Sequence, residues 1–277
     1  MPELPEVETV VRALGPALAG RTICRTILRT RKLRNALDEA SLDAFTRGRT
    51  VEDVRRRGKY IVVELSGSRA LVLHLGMSGA FRVSPASDPP ARHEHVMWLL
   101  SDGRAWRMTD ARRFGMVHAR NLPHRGADPD LLDSLGVDAL DEGLTGERLQ
   151  TMATGRRCPI KNFIMDQSKV AGLGNIYANE ALFRARVYPA RPAGSLKPDE
   201  YQTLVSSIRA VLQQALDAGG TTLRDYRSVN GDEGRFHREL LVYGKADSTC
   251  PACEGDHVIR RCRMAGRSTY YCPHCQV

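Results

Sequence analysis

The sequence predicts an α+β chain: an N-terminal helix, an eight-stranded β-sandwich, then a helical second half that ends in a small cysteine-rich module. Three observations carry this reading. Apolar residues recur at 3-and-4 spacing over the first twenty positions, and eight short strand-like runs separated by turn signals follow. From about Asp128 the period turns helical, until two Cys-x2-Cys pairs close the chain.

The first helix is expected from about Pro5 to Leu18. Leu4, Val7, Val10, Val11, Leu14 and Leu18 share one face, Pro5 suits a first turn, and Gly20 marks the stop. Strands are expected over residues 22–31, 50–56, 60–65, 70–75, 80–83, 95–101, 104–108 and 116–119, with Arg57-Gly58, Gly67-Ser68 and Asp102-Gly103 as turns. Eight short strands after one helix suggest a β-sandwich of roughly 120 residues. His93-Glu94-His95 reads as edge-strand surface, because two histidines at i and i+2 point the same way only on a strand. Helices are then expected over 130–135, 145–154, 159–166, 175–184 and 198–218. The last carries Leu204, Ile208, Val211, Leu212, Ala215 and Leu216 on one face and ends at Gly219-Gly220. Residues 221–247 lack a period and read as a long loop, of a length that is usually functional or disordered.

Composition narrows the function. Lys plus Arg number 41 against 32 acids, a net charge of +9, and only six of the 41 are Lys. A surplus of that size points to a polyanion, and Arg suits bidentate phosphate contacts. Basic runs lie at 21–34 and 55–59, and Arg260, Arg261, Arg263 and Arg267 fall between the cysteine pairs. Aromatic residues make up only 6%, which favours duplex backbone binding over a base-stacking platform. The acidic start is no secretory signal, and no apolar run approaches the ~18 residues of a membrane span, so a cytoplasmic, soluble monomer with no membrane partner is expected.

The sharpest motif is Cys250-x2-Cys253-x18-Cys272-x2-Cys275, the spacing of a four-thiolate zinc site. Seven cysteines leave an odd one over in any disulfide scheme. Four cysteines leave no open coordination position, so one structural Zn2+ per chain is expected. Gly172-Leu173-Gly174-Asn175 enters a helix with no strand before it, placing Asn175 at the N-cap and exposing backbone N–H groups suited to a phosphate. At the other end, removal of Met1 would leave Pro2 with a secondary amine of pKa roughly 7.7 to 8.0, nucleophilic toward an aldehyde-level carbon. Glu3 beside it is a candidate general acid. Taken alone, these residues read more simply as an acidic helix start that suits the macrodipole.

The pieces together resemble the bacterial formamidopyrimidine-DNA glycosylases. The resemblance rests on Pro2-Glu3-Leu4-Pro5-Glu6-Val7-Glu8-Thr9, Arg57-Gly58-Lys59-Tyr60, His74-Leu75-Gly76-Met77-Ser78-Gly79 and Asp110-Ala111-Arg112-Arg113-Phe114-Gly115. It continues through Asp166-Gln167, Gly174-Asn175-Ile176-Tyr177-Ala178-Asn179-Glu180, Arg224-Asp225-Tyr226 and Gly266-Arg267-Ser268-Thr269-Tyr270-Tyr271-Cys272. It implies a helix and β-sandwich catalytic domain over 1–125 and a helix-two-turn-helix DNA-binding domain over 126–247, whose loop at 219–247 lies near the lesion. A zinc ribbon would occupy 248–277, with DNA between the domains. It also implies a glycosylase and abasic-site lyase acting on duplex DNA that contains oxidised purines. By this resemblance Pro2 attacks C1′ of the flipped nucleotide and Glu3 protonates the sugar-ring oxygen, with Lys59 the next candidate amine. Lys59, His74, Lys161, Asn175 and Arg267 would bind DNA around the lesion, while Met77, Arg112 and Phe114 would fill the vacated stack. Two alternatives stay open: an endonuclease VIII-like enzyme for oxidised pyrimidines, and a non-catalytic zinc-ribbon DNA-binding protein.

Overall fold

In a computed structural model of the chain, residues 2–122, 131–221 and 236–277 are described, and they divide into two compact units. The first comprises residues 2–122 with 218–221; the second, 131–217 with 236–277.

In the first unit the leading apolar stripe forms helix α1 (Leu4–Leu18), which buries Leu4, Val7, Val10, Val11, Leu14 and Leu18. Strand β1 (Ile23–Leu28) is shorter than its sequence run, because residues 29–37 turn back on themselves through bonds such as Leu33 N–H to Asn35 C=O. A helix that the sequence reading missed, α2 (Glu39–Thr46), follows. Asp38 caps it by accepting from the Ser41 N–H, and only Leu42 and Thr46 are buried, too few to write a stripe. Seven further strands match their expected runs to within three residues at either end: β2 (Val51–Arg57), β3 (Tyr60–Leu65), β4 (Arg69–His74), β5 (Gly79–Pro85), β6 (Glu94–Leu100), β7 (Arg104–Asp110) and β8 (Met116–Asn121).

They form two antiparallel four-stranded sheets, ordered β1-β6-β7-β5 and β2-β3-β4-β8. Leu14 and Leu18 of α1 join Ile61, Leu73, Phe81, Trp98 and Trp106 in one core, where the two indoles stack with centroids 4.0 Å apart.

The expectation for His93-Glu94-His95 is corrected. β6 is an interior strand, and Glu94 and His95 are buried in it. Glu94 pairs with Arg107 at 3.0 Å and with Arg29 at 3.2 Å. Burial alone would raise its pKa, but these guanidinium groups hold it below the ordinary range. The charge looked like surface in the sequence because its partners, Arg107 on β7 and Arg29 just past β1, are distant along the chain.

The second unit begins with a two-residue strand, β9 (Val137–Asp138), and helices α3 (Gly146–Ala153) and α4 (Ile160–Met165). Strand β10 (Val170–Ala171) pairs parallel with β9. Then come α5 (Asn175–Arg184), α6 (Pro198–Asp217) and the antiparallel hairpin β11 (Arg260–Met264) and β12 (Arg267–Tyr271). The helix expected over 130–135 is absent from its described part, where residues 131–135 make turns such as Leu135 N–H to Leu132 C=O. Of the long loop, residues 222–235, including Arg224, Asp225 and Tyr226, lie outside the described residues.

Candidate functional site

In the first unit, Pro2 and Glu3 are buried at the start of α1. A reciprocal capping box holds them there: the Glu3 carboxyl accepts from the Glu6 N–H, and the Glu6 Oε2 accepts from the Glu3 N–H at 2.7 Å. The other Glu6 oxygen accepts from the Thr221 N–H at 2.7 Å, and a Cβ at Gly220 would stand only 3.1 Å from it. Glu6 therefore fixes the N-terminus and the foot of the long loop together. The sequence reading passed over it as one acid among three; the Glu-x-x-Glu spacing was the available signal.

Arg56 donates to Glu8 at 2.9 Å and to the Gly58 carbonyl at 3.0 Å, which braces the β2–β3 turn that presents the buried Lys59. His74 closes β4 opposite Tyr60. Its Nδ1 accepts from the Gly76 N–H at 2.8 Å, so a neutral ring carries its proton on Nε2. Burial, aided by the nearby Arg34 and Lys59 charges, lowers its pKa to about 3. An unfolded chain takes up that proton below about pH 6.5 while the folded protein does not, so stability falls as pH drops from 6.5 toward 3. Between pH 7 and 5 the parent should lose about 2 kcal/mol more than a His74→Gln variant in denaturant melts. Equal losses would show that His74 titrates normally.

Two turns beside His74 carry the remaining residues of this half. Met77 is half-buried, whereas Arg112 and Phe114 are exposed, Phe114 at 46%. The Arg112 guanidinium lies 4.9 Å from the centre of the Phe114 ring, and Arg113 between them has φ 56°. Phe114 is thus no part of the sandwich core.

In the second unit, α5 begins at Asn175 and its N-cap is Gly174, one residue earlier than expected. The short strand β10 also precedes the turn, against the expectation of none. Gln167 braces this turn: its Oε1 accepts from the Gly172 N–H at 2.9 Å, and its Nε2 donates to the Leu173 carbonyl at 2.8 Å. Asn175 Nδ2 donates to the Ser268 carbonyl at 3.0 Å. Lys161 is buried and donates to the same carbonyl at 3.1 Å and to Thr269 Oγ1 at 2.7 Å. Asn179 accepts from the Tyr270 N–H at 2.7 Å. Three side chains thus seat the hairpin whose exposed Arg267 stands at the start of β12. Lys161 faces that hairpin.

At the foot of the hairpin, Cys250, Cys253, Cys272 and Cys275 bring four sulfurs within 4.8 Å of one another. The Cys253–Cys272 and Cys250–Cys275 separations are 3.5 and 3.8 Å. Metal–sulfur bonds of about 2.3 Å in a tetrahedron give edges of about 3.8 Å, so the set fits a four-coordinate metal. Partial desolvation and the neighbouring thiols push Cys253 up to about 11. Cys272 is buried, yet the N–H groups of Cys275 and His274 hold it down to about 7.

The chain matches known families in both units. The formamidopyrimidine-DNA glycosylase N-terminal domain matches residues 1–117, and the formamidopyrimidine-DNA glycosylase H2TH domain matches residues 135–227. A formamidopyrimidine-DNA glycosylase of Halorhodospira halophila is 46% identical, with 100% of both chains covered. The crystal structure of the MutM (Fpg) protein from Thermus thermophilus is 39% identical with TM-score 0.86, covering 99% of this chain and 98% of that one. A Lactococcus lactis Fpg mutant in complex with a Fapy-dG containing DNA is 31% identical with TM-score 0.89, covering 99% of each chain. With likeness of this extent running through the helix, the sandwich and the helical half alike, the chain belongs to the formamidopyrimidine-DNA glycosylase family.

Proposed function

We propose that this chain is a base-excision repair enzyme that removes oxidised purines, 8-oxoguanine and formamidopyrimidines, from duplex DNA and cleaves the abasic product. The observation that carries the reading is the buried Pro2-Glu3 start of α1, held by the Glu3–Glu6 box. A solvated helix start would need neither burial nor a second bond to Thr221.

With Met1 removed, the Pro2 amine attacks C1′ of the extruded nucleotide, the C1′–base bond breaks and the base leaves with the proton the amine nitrogen sheds, while Glu3 protonates the ring oxygen as the C1′–O bond opens to the iminium. The resulting iminium acidifies the C2′ hydrogens, so the 3′ phosphate departs by β-elimination and the 5′ phosphate by δ-elimination. A one-nucleotide gap remains. Lys59, Asn175, Arg267 and the Nε2–H of His74 serve as donors to the phosphates that flank the lesion. Met77 and Phe114 fill the vacated stack, and Arg112 donates to the orphan base, for which cytosine offers O2 and N3 as acceptors. Lys161 works through the ribbon hairpin it supports. The four cysteines hold one structural zinc, which closes the ribbon and takes no part in the chemistry.

Borohydride trapping tests the reading. Covalent capture is expected on duplexes containing 8-oxoguanine or an abasic site, with faster excision opposite cytosine than opposite adenine. Capture on thymine glycol and abasic duplexes but not on 8-oxoguanine would make the enzyme pyrimidine-directed. Capture on none would leave a non-catalytic DNA-binding protein.

A further inference from the structure

The turns that carry Met77 and the Arg112–Phe114 pair lie in different strand connections, yet one buried carboxylate joins them. Asp110 is fully buried at the end of β7. Its Oδ1 accepts the Ser78 hydroxyl, 32 residues away, at 2.6 Å and the Arg112 N–H at 3.2 Å. Its Oδ2 accepts the Gly115 N–H at 2.7 Å. The backbone of Asp110 is itself fixed: its N–H donates to the His93 carbonyl at 3.0 Å, and its carbonyl accepts from His95 Nε2 at 2.8 Å.

Ser78 Oγ also accepts from the Arg112 N–H at 3.1 Å, so serine and aspartate share one donor. The turns meet backbone to backbone, because a Cβ at Gly76 would fall 2.4 Å from the Phe114 carbonyl carbon. Arg113, between the two inserting residues, keeps a left-handed φ of 56°, a conformation that non-glycine residues hold only when their surroundings fix it.

We propose that Asp110 is a positioning residue for partner-base reading: through Ser78 it locks the Met77 turn to the Arg112–Phe114 turn, so that the three side chains enter the duplex as one rigid wedge. The proposal rests on the repair reading above. Hydrogen bonds weaken steeply with donor angle, so Arg112 can tell cytosine from adenine only if its backbone is held. Without the lock, Arg112 still reaches the partner base but from a range of angles, and the two bases become more alike to it.

Ser78→Ala removes the bridge to the Met77 turn while leaving the Asp110 bonds to the Gly115 and Arg112 N–H groups. Single-turnover excision of 8-oxoguanine opposite cytosine should fall about tenfold, the size of one hydrogen bond, and opposite adenine by less than about threefold, so the preference contracts. Ser78→Thr, which keeps the hydroxyl, should restore the parental ratio. Asp110→Asn, which turns an amide N–H2 toward one of its donors, should contract the ratio further. Melting temperature checks that each variant folds, and Ser78→Cys, of similar volume but a weak donor, gives the same reading should the alanine variant unfold. A cytosine-to-adenine ratio unchanged in Ser78→Ala or Ser78→Cys, whether both rates hold or fall together, overturns the lock. A parent protein that excises no 8-oxoguanine overturns the repair reading instead.

Discussion

Glu3→Gln is expected to lose base excision by roughly 10²- to 10⁴-fold, the usual contribution of a positioned acid, while it still cleaves abasic DNA and is trapped on it. The amide keeps the shape of the carboxyl, and its oxygen can still accept the Glu6 N–H that closes the capping box, so the helix start should survive. What it lacks is an acidic proton for the sugar-ring oxygen. An abasic site already presents an aldehyde, so iminium formation there depends on the amine of Pro2 and much less on Glu3. A peptide extension ahead of Pro2 should act differently, abolishing trapping on both substrates because it turns the amine into an amide. If an extended protein, shown by mass to be uncleaved, nicks abasic DNA at the parental rate, the nucleophile is elsewhere and Lys59 is the next candidate.

Cys272→Ser is expected to lose the metal and, with it, duplex binding, by well over tenfold. Cys272 and Cys250 both belong to the four-cysteine cluster and to the small core formed with Phe183, Val242 and Ile259. That core is too small to order a ribbon without its ion, and structural zinc contributes apparent binding energies of about 10 to 16 kcal/mol in short peptides. Arg267 would then lose its platform, although Lys161, Asn175 and Asn179 remain on their helices. Elemental analysis and a duplex titration check both halves of the expectation. A parent protein purified without zinc that binds DNA fully would refute it.

Much of this molecule is legible in its sequence, and the failures are instructive. Long periodic stripes such as Leu204 to Leu216, and β-branched runs such as 60–65, gave their elements nearly to the residue, because burial of one face or of a whole strand leaves a repeating trace. Helix α2 escaped because it buries only two residues. Strands β9 and β10 escaped because two residues hold no period. The ion pairs of Glu94 were misread for a different reason: a charge reads as surface until the partner that neutralises it is known, and Arg107 and Arg29 come from β7 and from the residue just past β1. At the site, motif chemistry pointed to the residues with distinctive reactivity, namely Pro2, Glu3 and the four cysteines. It did not point to the side chains that only hold others in place. Glu6, Gln167 and Asp110 act through bonds to backbone N–H groups that exist only after folding.

The stacked indoles of Trp98 and Trp106 are the only two tryptophans in the chain, and both lie in the sandwich core. Six described tyrosines, Tyr177, Tyr188, Tyr201, Tyr243, Tyr270 and Tyr271, belong to the helical and ribbon unit, and among the described residues only Tyr60 lies with the sandwich. The two units therefore carry separate optical reporters. Emission excited at wavelengths that only indole absorbs follows the unit bearing Pro2 and Glu3, whereas phenol absorbance of the described tyrosines is weighted toward the unit bearing the four cysteines. Loss of a metal from the four cysteines would register in the second spectrum, and melting of the sandwich in the first, with no label attached to either.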